Sequence, residues 1–113
     1  MISKVKNFFR PRNDEQPEMR EIFSNSDPTY IDVREPSEFL MGHVDGAINI
    51  PLGSISEELE EIRKLPLPLV LYCRSGIRSA QALGLLKAYG IKNAHNGGGL
   101  AEVIVYQKKY SNT

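Results

Sequence analysis

The chain has a single cysteine among 113 residues. No disulfide can form within it, so the fold does not depend on an oxidising compartment, and the cytoplasm is the expected setting. Long apolar runs are also missing: nothing approaches the ~20 residues needed to cross a bilayer, and no membrane partner is expected. The start, MISKVKNFFRPR, is basic like a secretory signal but lacks a continuous apolar stretch and a small-residue cleavage site. Residues 1–16 therefore read as a flexible basic leader or a first strand, with an interfacial membrane anchor as the alternative. There is no internal repeat and no low-complexity tract. No basic tract is interleaved with aromatics, which argues against a nucleic-acid partner.

What is present fits one soluble globular domain over residues 17–113, expected as a monomer. Hydrophobic residues make up 41% and charged residues 25%, and a chain this long can remove roughly two thirds of its unfolded surface from water. The net charge of zero hides an asymmetry. Residues 13–62 carry thirteen acidic and two basic side chains, whereas residues 63–113 carry eight basic and one acidic. The half that holds the cysteine is thus the positive one, which favours small anionic substrates, although basic surface helices also serve solubility.

Periodicity places short elements along the chain. PEMREIFS (17–24) reads as an amphipathic helix, TYIDV (29–33) as a buried strand, and EPSEFLMG (35–42) as a short helix opened by proline and closed by glycine. GAINIP (46–51) reads as extended. SISEELEEIRKL (54–65) carries a capping box, Ser54 with Glu57, and predicts a helix. LVLY (69–72) is apolar throughout, as in a strand covered on both faces. IRSAQALGLLKAYG (77–90) predicts a helix with Ala80, Leu83 and Leu86 on its buried stripe and Gly90 as its stop. IKNAH (91–95) is the next candidate strand, NGGG (96–99) a turn, and LAEVIVYQKKY (100–110) is ambiguous, its β-branched run favouring a strand and its position after a strand favouring the helix expected here. Strands alternating with helices over short loops predict an α/β domain with a mainly parallel sheet.

In such a sheet, ligands gather where strand ends lead into helix N-termini. Cys73 stands at that junction, after one predicted strand and before a helix. Loop N–H groups, the positive end of the helix dipole, Arg74 and Arg78 all favour thiolate over thiol there. Gly76 lets the chain curl so that successive N–H groups point inward as an anion-binding nest. A lone cysteine is commonly a small buried hydrophobe. The glycine and two arginines around Cys73 point instead to a nucleophile that holds negative charge.

IDVREPSEF (31–39), GHVDGAINIP (42–51), YCRSGIRS (72–79) and the NGGG stretch, in that order, resemble a single-domain rhodanese over about residues 17–100. The resemblance implies a rhodanese-like α/β fold, with a five-stranded, mainly parallel sheet flanked by helices on both faces. It also implies a thiosulfate sulfurtransferase that carries sulfur on a Cys73 persulfide and passes it to cyanide or a thiol acceptor, without metal or organic cofactor. Arg74, Ser75, Gly76, Ile77 and Arg78 would form the cradle of the sulfur with Cys73, and the two arginines would meet a small anionic donor, thiosulfate. Arg78 has an alternative role in an ion pair, with Asp32 as a candidate partner. Asp32 is expected to orient the loop from the side, and Arg34 to pair with a carboxylate such as Glu38. His43 and His95 read as hydrogen-bonded structural residues.

Members of the family commonly carry an aromatic-containing helix after the glycine turn, often with tryptophan, and this chain has no tryptophan. Cysteine phosphatases share the thiolate-in-anion-loop design, but they place five residues between Cys and Arg; here there are four. Two further readings stay open. One is a persulfide carrier or binding module serving a dedicated protein partner, with the leader or EELEE (57–61) as its docking surface. The other is a redox switch, for which no resolving cysteine exists within the chain.

Overall fold

Helices and strands alternate throughout residues 17–110, which the computed structural model describes; the basic leader lies outside them. Helix α1 spans Pro17–Asn25, β1 Thr29–Asp32, α2 Pro36–Met41 and β2 Ile48–Asn49. A 3-10 turn covers Leu52–Glu57, followed by α3 Leu59–Arg63, β3 Leu69–Cys73, α4 Ile77–Ala88, β4 Ala94–Gly99 and α5 Leu100–Tyr110. The strands are all parallel, in the order β2-β1-β3-β4. The sheet among the described residues therefore has four strands, not five. Every other segment of 17–110 is consumed by helices and short connections.

The sheet is covered on both faces because β3 is apolar along its whole length, and all five of its residues are buried. Side chains alternate between faces. Ile31, Val33, Leu71 and Cys73 point to one layer, where they pack with Ile55, Ile62, Ala82 and Leu86. Tyr30, Val70 and Tyr72 point to the other, against Met19 and Phe23 of α1 and Val103 of α5. Each fully buried side chain of this size contributes about 1.5–3 kcal/mol. The carboxyl ends of β1 and β3 lie side by side, with Asp32 paired to Tyr72. No helix of the described residues is long and apolar enough to cross a membrane.

Three local expectations are corrected. Ser54 does not cap a helix over 54–65. The backbone N–H groups of Ile50 and Leu52 are tied to the Asp32 and Val33 carbonyls at 2.9 and 3.0 Å, so the chain turns immediately after Pro51, and the α-helix starts only at Leu59. This tight turn buries Ile55, Leu59 and Ile62 together. The buried stripe of α4 is Ser79, Ala82 and Leu86, and Ala80 is exposed, because the loop before α4 sets its rotation with Ser79 toward β3. Finally, NGGG is no turn: β4 continues through it to Gly99. A Cβ at Gly97 would lie 2.8 Å from both Val70 and Val103, so lack of a side chain is what allows a strand there.

Candidate active site

Cys73 is the last residue of β3, and its thiol is almost fully buried, with 1% of the residue exposed. The loop Arg74–Gly76 then curls over it and feeds α4. Gly76 makes this possible: it stands at the helix N-cap with φ +99°, a left-handed conformation that only glycine adopts without strain. A Cβ on it would also press to 3.3 Å from the Gly98 Cα. The curl aims the Gly76 N–H at the sulfur, at 3.0 Å. One turn into α4, the Ser79 hydroxyl lies 3.5 Å from the same sulfur.

These contacts decide the ionisation of the thiol. Burial pushes its pKa up, but hydrogen bonds from the Ser79 hydroxyl and from the backbone N–H groups of Ser79, Gly76 and Ser75 outweigh it and hold the thiol at about 7, below the ordinary value of 9.0. Near neutral pH a large fraction of the sulfur is therefore thiolate, the form in which a thiol can act as a nucleophile.

Strand β4 closes the loop from behind. Asn96 donates from Nδ2 to the Gly76 carbonyl at 3.1 Å and accepts at Oδ1 from the Ser79 hydroxyl at 2.7 Å and from the Gly98 N–H at 2.9 Å. The β3–β4 register slips here, from Leu71 opposite Asn96 to Tyr72 opposite Gly98, and the bulge turns Asn96 toward the loop. A Cβ at Gly99 would run into the Arg74 carbonyl. Neither Ser79 nor Asn96 was singled out from sequence. The available signal was polar type at positions facing a buried strand, and Asn96 was hidden in what reads as a turn.

The two arginines separate. Arg78 is engaged with Glu38 of α2 through two hydrogen bonds, Nη1 to Oε1 at 2.7 Å and Nη2 to Oε2 at 3.1 Å. Its pairing with Asp32 is thereby corrected. The Arg78 guanidinium and the Glu35 N–H, which donates to Glu38 Oε1 at 2.9 Å, hold the Glu38 carboxyl down at about 2. Arg74, by contrast, is exposed and pairs with no carboxylate among the described residues. It is the unneutralised cation of the loop, with Ser75 and Ile77 exposed on the same rim.

Asp32 and Arg34 pair with each other, not with loop or helix partners. Two apart on an extended chain, they share a face, and the Asp32 carboxylate accepts from Arg34 N, Nε and Nη2 at 2.7–3.1 Å. Arg34 Nη2 also donates to the Gly42 carbonyl at 2.6 Å. The Tyr72 hydroxyl accepts the Val44 N–H at 3.0 Å, and burial raises its pKa. This cluster lies on the Tyr72 face of the sheet, opposite Cys73, and fastens the 42–44 segment. The structure thus brings Cys73, Arg74, Ser75, Gly76, Ile77 and Arg78 together and sets Asp32 and Arg34 apart. His43 Nδ1 meets the Phe39 carbonyl at 2.8 Å and its ring stacks on Phe39; His95 Nε2 meets Asn93 Oδ1 at 3.1 Å.

A parallel α/β sheet with a cysteine cradled by hydrogen-bond donors at a strand-to-helix loop defines a class of cysteine-loop proteins. Within that class, a model of the rhodanese-like domain matches residues 15–107, and the chain belongs to this family. It is 35% identical over 81 residues to the thiosulfate sulfurtransferase PspE of Escherichia coli, covering 71% of this chain and 78% of that one. It is 44% identical over 66 residues to YqhL of Bacillus subtilis, covering 58% of this chain and 52% of the relative, so it spans about half of that protein's length. Among solved structures, an E. coli rhodanese with bound anions superposes with a TM-score of 0.61 at 35% identity, covering 67% of this chain and 91% of that one.

Proposed function

We propose that the protein is a thiosulfate sulfurtransferase that works through a Cys73 persulfide. The observation that carries the reading is the convergence of N–H and hydroxyl donors on a buried sulfur held at about 7. The Cys73 thiolate attacks the outer sulfur of thiosulfate. A sulfur–sulfur bond forms to Sγ as the one within thiosulfate breaks, and sulfite leaves with the electron pair. The persulfide's terminal charge meets the loop N–H groups, as an oxyanion meets its donors. Cyanide or a thiolate then attacks the outer sulfur, and the bond to Sγ breaks with its electrons returning to Cys73. No cofactor enters this cycle. Arg74, which pairs with no carboxylate among the described residues, is the side chain that receives the donor's sulfonate.

The test is intact-protein mass after thiosulfate treatment, with released sulfite measured alongside. The expected result is a gain of one sulfur atom, reversed by cyanide with thiocyanate formed, and neither gain nor sulfite with Cys73→Ser. No added sulfur on the native chain would overturn the choice of donor. A second reading, delivery of the persulfide to a protein thiol, draws support from the exposed apolar Ile77 of the loop region and from Leu40 and Met41 on α2, which Glu38–Arg78 ties to α4. Transfer of the outer sulfur from the Cys73 persulfide to a protein thiol, but not to cyanide or a small thiol, would favour it.

A further inference from the structure

We propose that Asn96 is a positioning residue for the sulfur chemistry: through its amide it holds the Gly76 backbone, at its carbonyl, and the Ser79 side chain in the places from which the Gly76 N–H and the Ser79 hydroxyl stabilise anionic sulfur at Cys73. Four contacts carry this. Asn96 Nδ2 donates to the Gly76 carbonyl, the peptide oxygen of the same residue whose N–H is aimed at Sγ. Asn96 Oδ1 accepts from Ser79 Oγ, which itself lies against the sulfur. One planar amide on β4 therefore fixes two of the donors that face Cys73. Its own orientation is pinned by the Gly98 N–H at Oδ1, so the amide cannot turn over without losing a donor.

The arrangement also describes how the site answers a change of charge. As a thiol, Cys73 directs its proton at Ser79 Oγ, and the Ser79 proton points at Asn96 Oδ1. When the thiol proton leaves to solvent, the Ser79 hydroxyl turns its proton onto the sulfur, and Asn96 Oδ1 retains the Gly98 N–H. Ser79 has one hydroxyl proton, so Asn96 Oδ1 yields it to the sulfur in the anionic state and keeps the Gly98 N–H, which spares Oδ1 the cost of an unpaired buried acceptor. Other charged groups face this region: Arg78, engaged with Glu38, Arg74 on the rim, and Glu102, which accepts from the Gly99 N–H. The substitution below leaves all of them in place.

The inference rests on the reading of Cys73 as the sulfur carrier, yet alkylation by iodoacetamide reports on the thiol itself, whatever the donor. Asn96→Asp keeps size and Oδ1 but puts a charge and a second acceptor where the Gly76 carbonyl needs a donor. The expected result is about tenfold slower alkylation near pH 6.5, with rates converging above pH 9, as thiolate formation moves to higher pH. Asn96→Ala, which adds no charge, is expected to lower kcat for sulfur transfer about tenfold with KM for thiosulfate unchanged, because Arg74 is untouched. If Asn96→Asp does not fold, the kcat and KM of Asn96→Ala decide alone. Unchanged alkylation profiles together with unchanged kcat would overturn the inference. A fall in melting temperature with a wild-type alkylation profile would make Asn96 merely structural, which also overturns it. Failure of thiosulfate turnover in the native protein, with the alkylation shift present, would count against the proposed donor and not against Asn96.

Discussion

Two polar clusters sit at neighbouring strand ends on opposite faces of the sheet, and they are built in opposite ways. At the end of β1, Asp32 and Arg34 meet charge with charge: the carboxylate is filled by guanidinium and backbone donors, and Arg34 spends a further N–H on Gly42. At the end of β3, the Cys73 sulfur is hydrogen-bonded among the described residues by N–H groups and a hydroxyl, and Arg74, which pairs with no carboxylate among them, stays exposed on the rim. A buried charge neutralised within the fold has nothing left to offer a ligand. A buried sulfur surrounded by donors, with an uncommitted guanidinium beside it, is prepared to hold a charge that chemistry will bring.

The sharpest way to break the comparison is to remove the centre of each cluster. Cys73→Ser is expected to abolish sulfur transfer, on the order of 10³-fold or more, with little change in melting temperature. Asp32→Ala leaves Arg34 buried without its counter-ion and is expected to destabilise by about 3–5 kcal/mol in urea unfolding. In the fraction that stays folded, the pH dependence of Cys73 alkylation should be unchanged. A shifted profile would mean that Asp32 orients the loop after all.

The arginines offer a finer division. Arg74→Ala is expected to raise KM for thiosulfate about tenfold, the loss of one or two charge-assisted hydrogen bonds at a partly solvated site. Arg78→Ala, whose guanidinium is already engaged by Glu38, should change KM less than about threefold; the reverse order in steady-state kinetics would place the donor on Arg78.

The pH dependence follows from the thiol. Its pKa in the fold, about 7, lies below the ordinary value, so transfer should rise about tenfold per pH unit below 7 and level off above it. Smallest is the contribution of Glu38. Its carboxyl is held at about 2 against an ordinary 4.5, so its ion pair with Arg78 stabilises above pH 4.5 and is lost as the pH falls toward 2. The pair is partly solvated, which limits that gain to no more than about 1 kcal/mol. Glu38→Gln should therefore flatten acid unfolding between pH 4.5 and 2 only slightly.

Much of this architecture was legible before folding. The apolar run before Cys73, the glycine three residues after it and the following helix pattern are local signals, and local signals place a thiol at a strand-to-helix turn without any tertiary information. The final segment was an open choice between strand and helix, and the structure makes it a helix, with Val103 buried against the sheet. Where reading failed, the cause was a longer-range contact. Ser54 lost its cap to a backbone tether onto the end of β1, and NGGG became strand because Val70 and Val103 pack against a position that bears no side chain. The ion pairs expected between Arg34 and Glu38 and between Arg78 and Asp32 were exchanged. Partner choice among several acids and bases depends on which faces the strands and α2 present, and composition does not carry that.

The sequence by itself determined the alternation of strands and helices and the place of the single cysteine at a strand-to-helix turn, because each is set by residue type within one turn or strand. Only the tertiary structure decided which arginine stays free, and that Asn96 and Ser79 close on the sulfur. Those outcomes depend on the β3–β4 register and on the rotation of α4, which are fixed by packing between segments far apart in the chain.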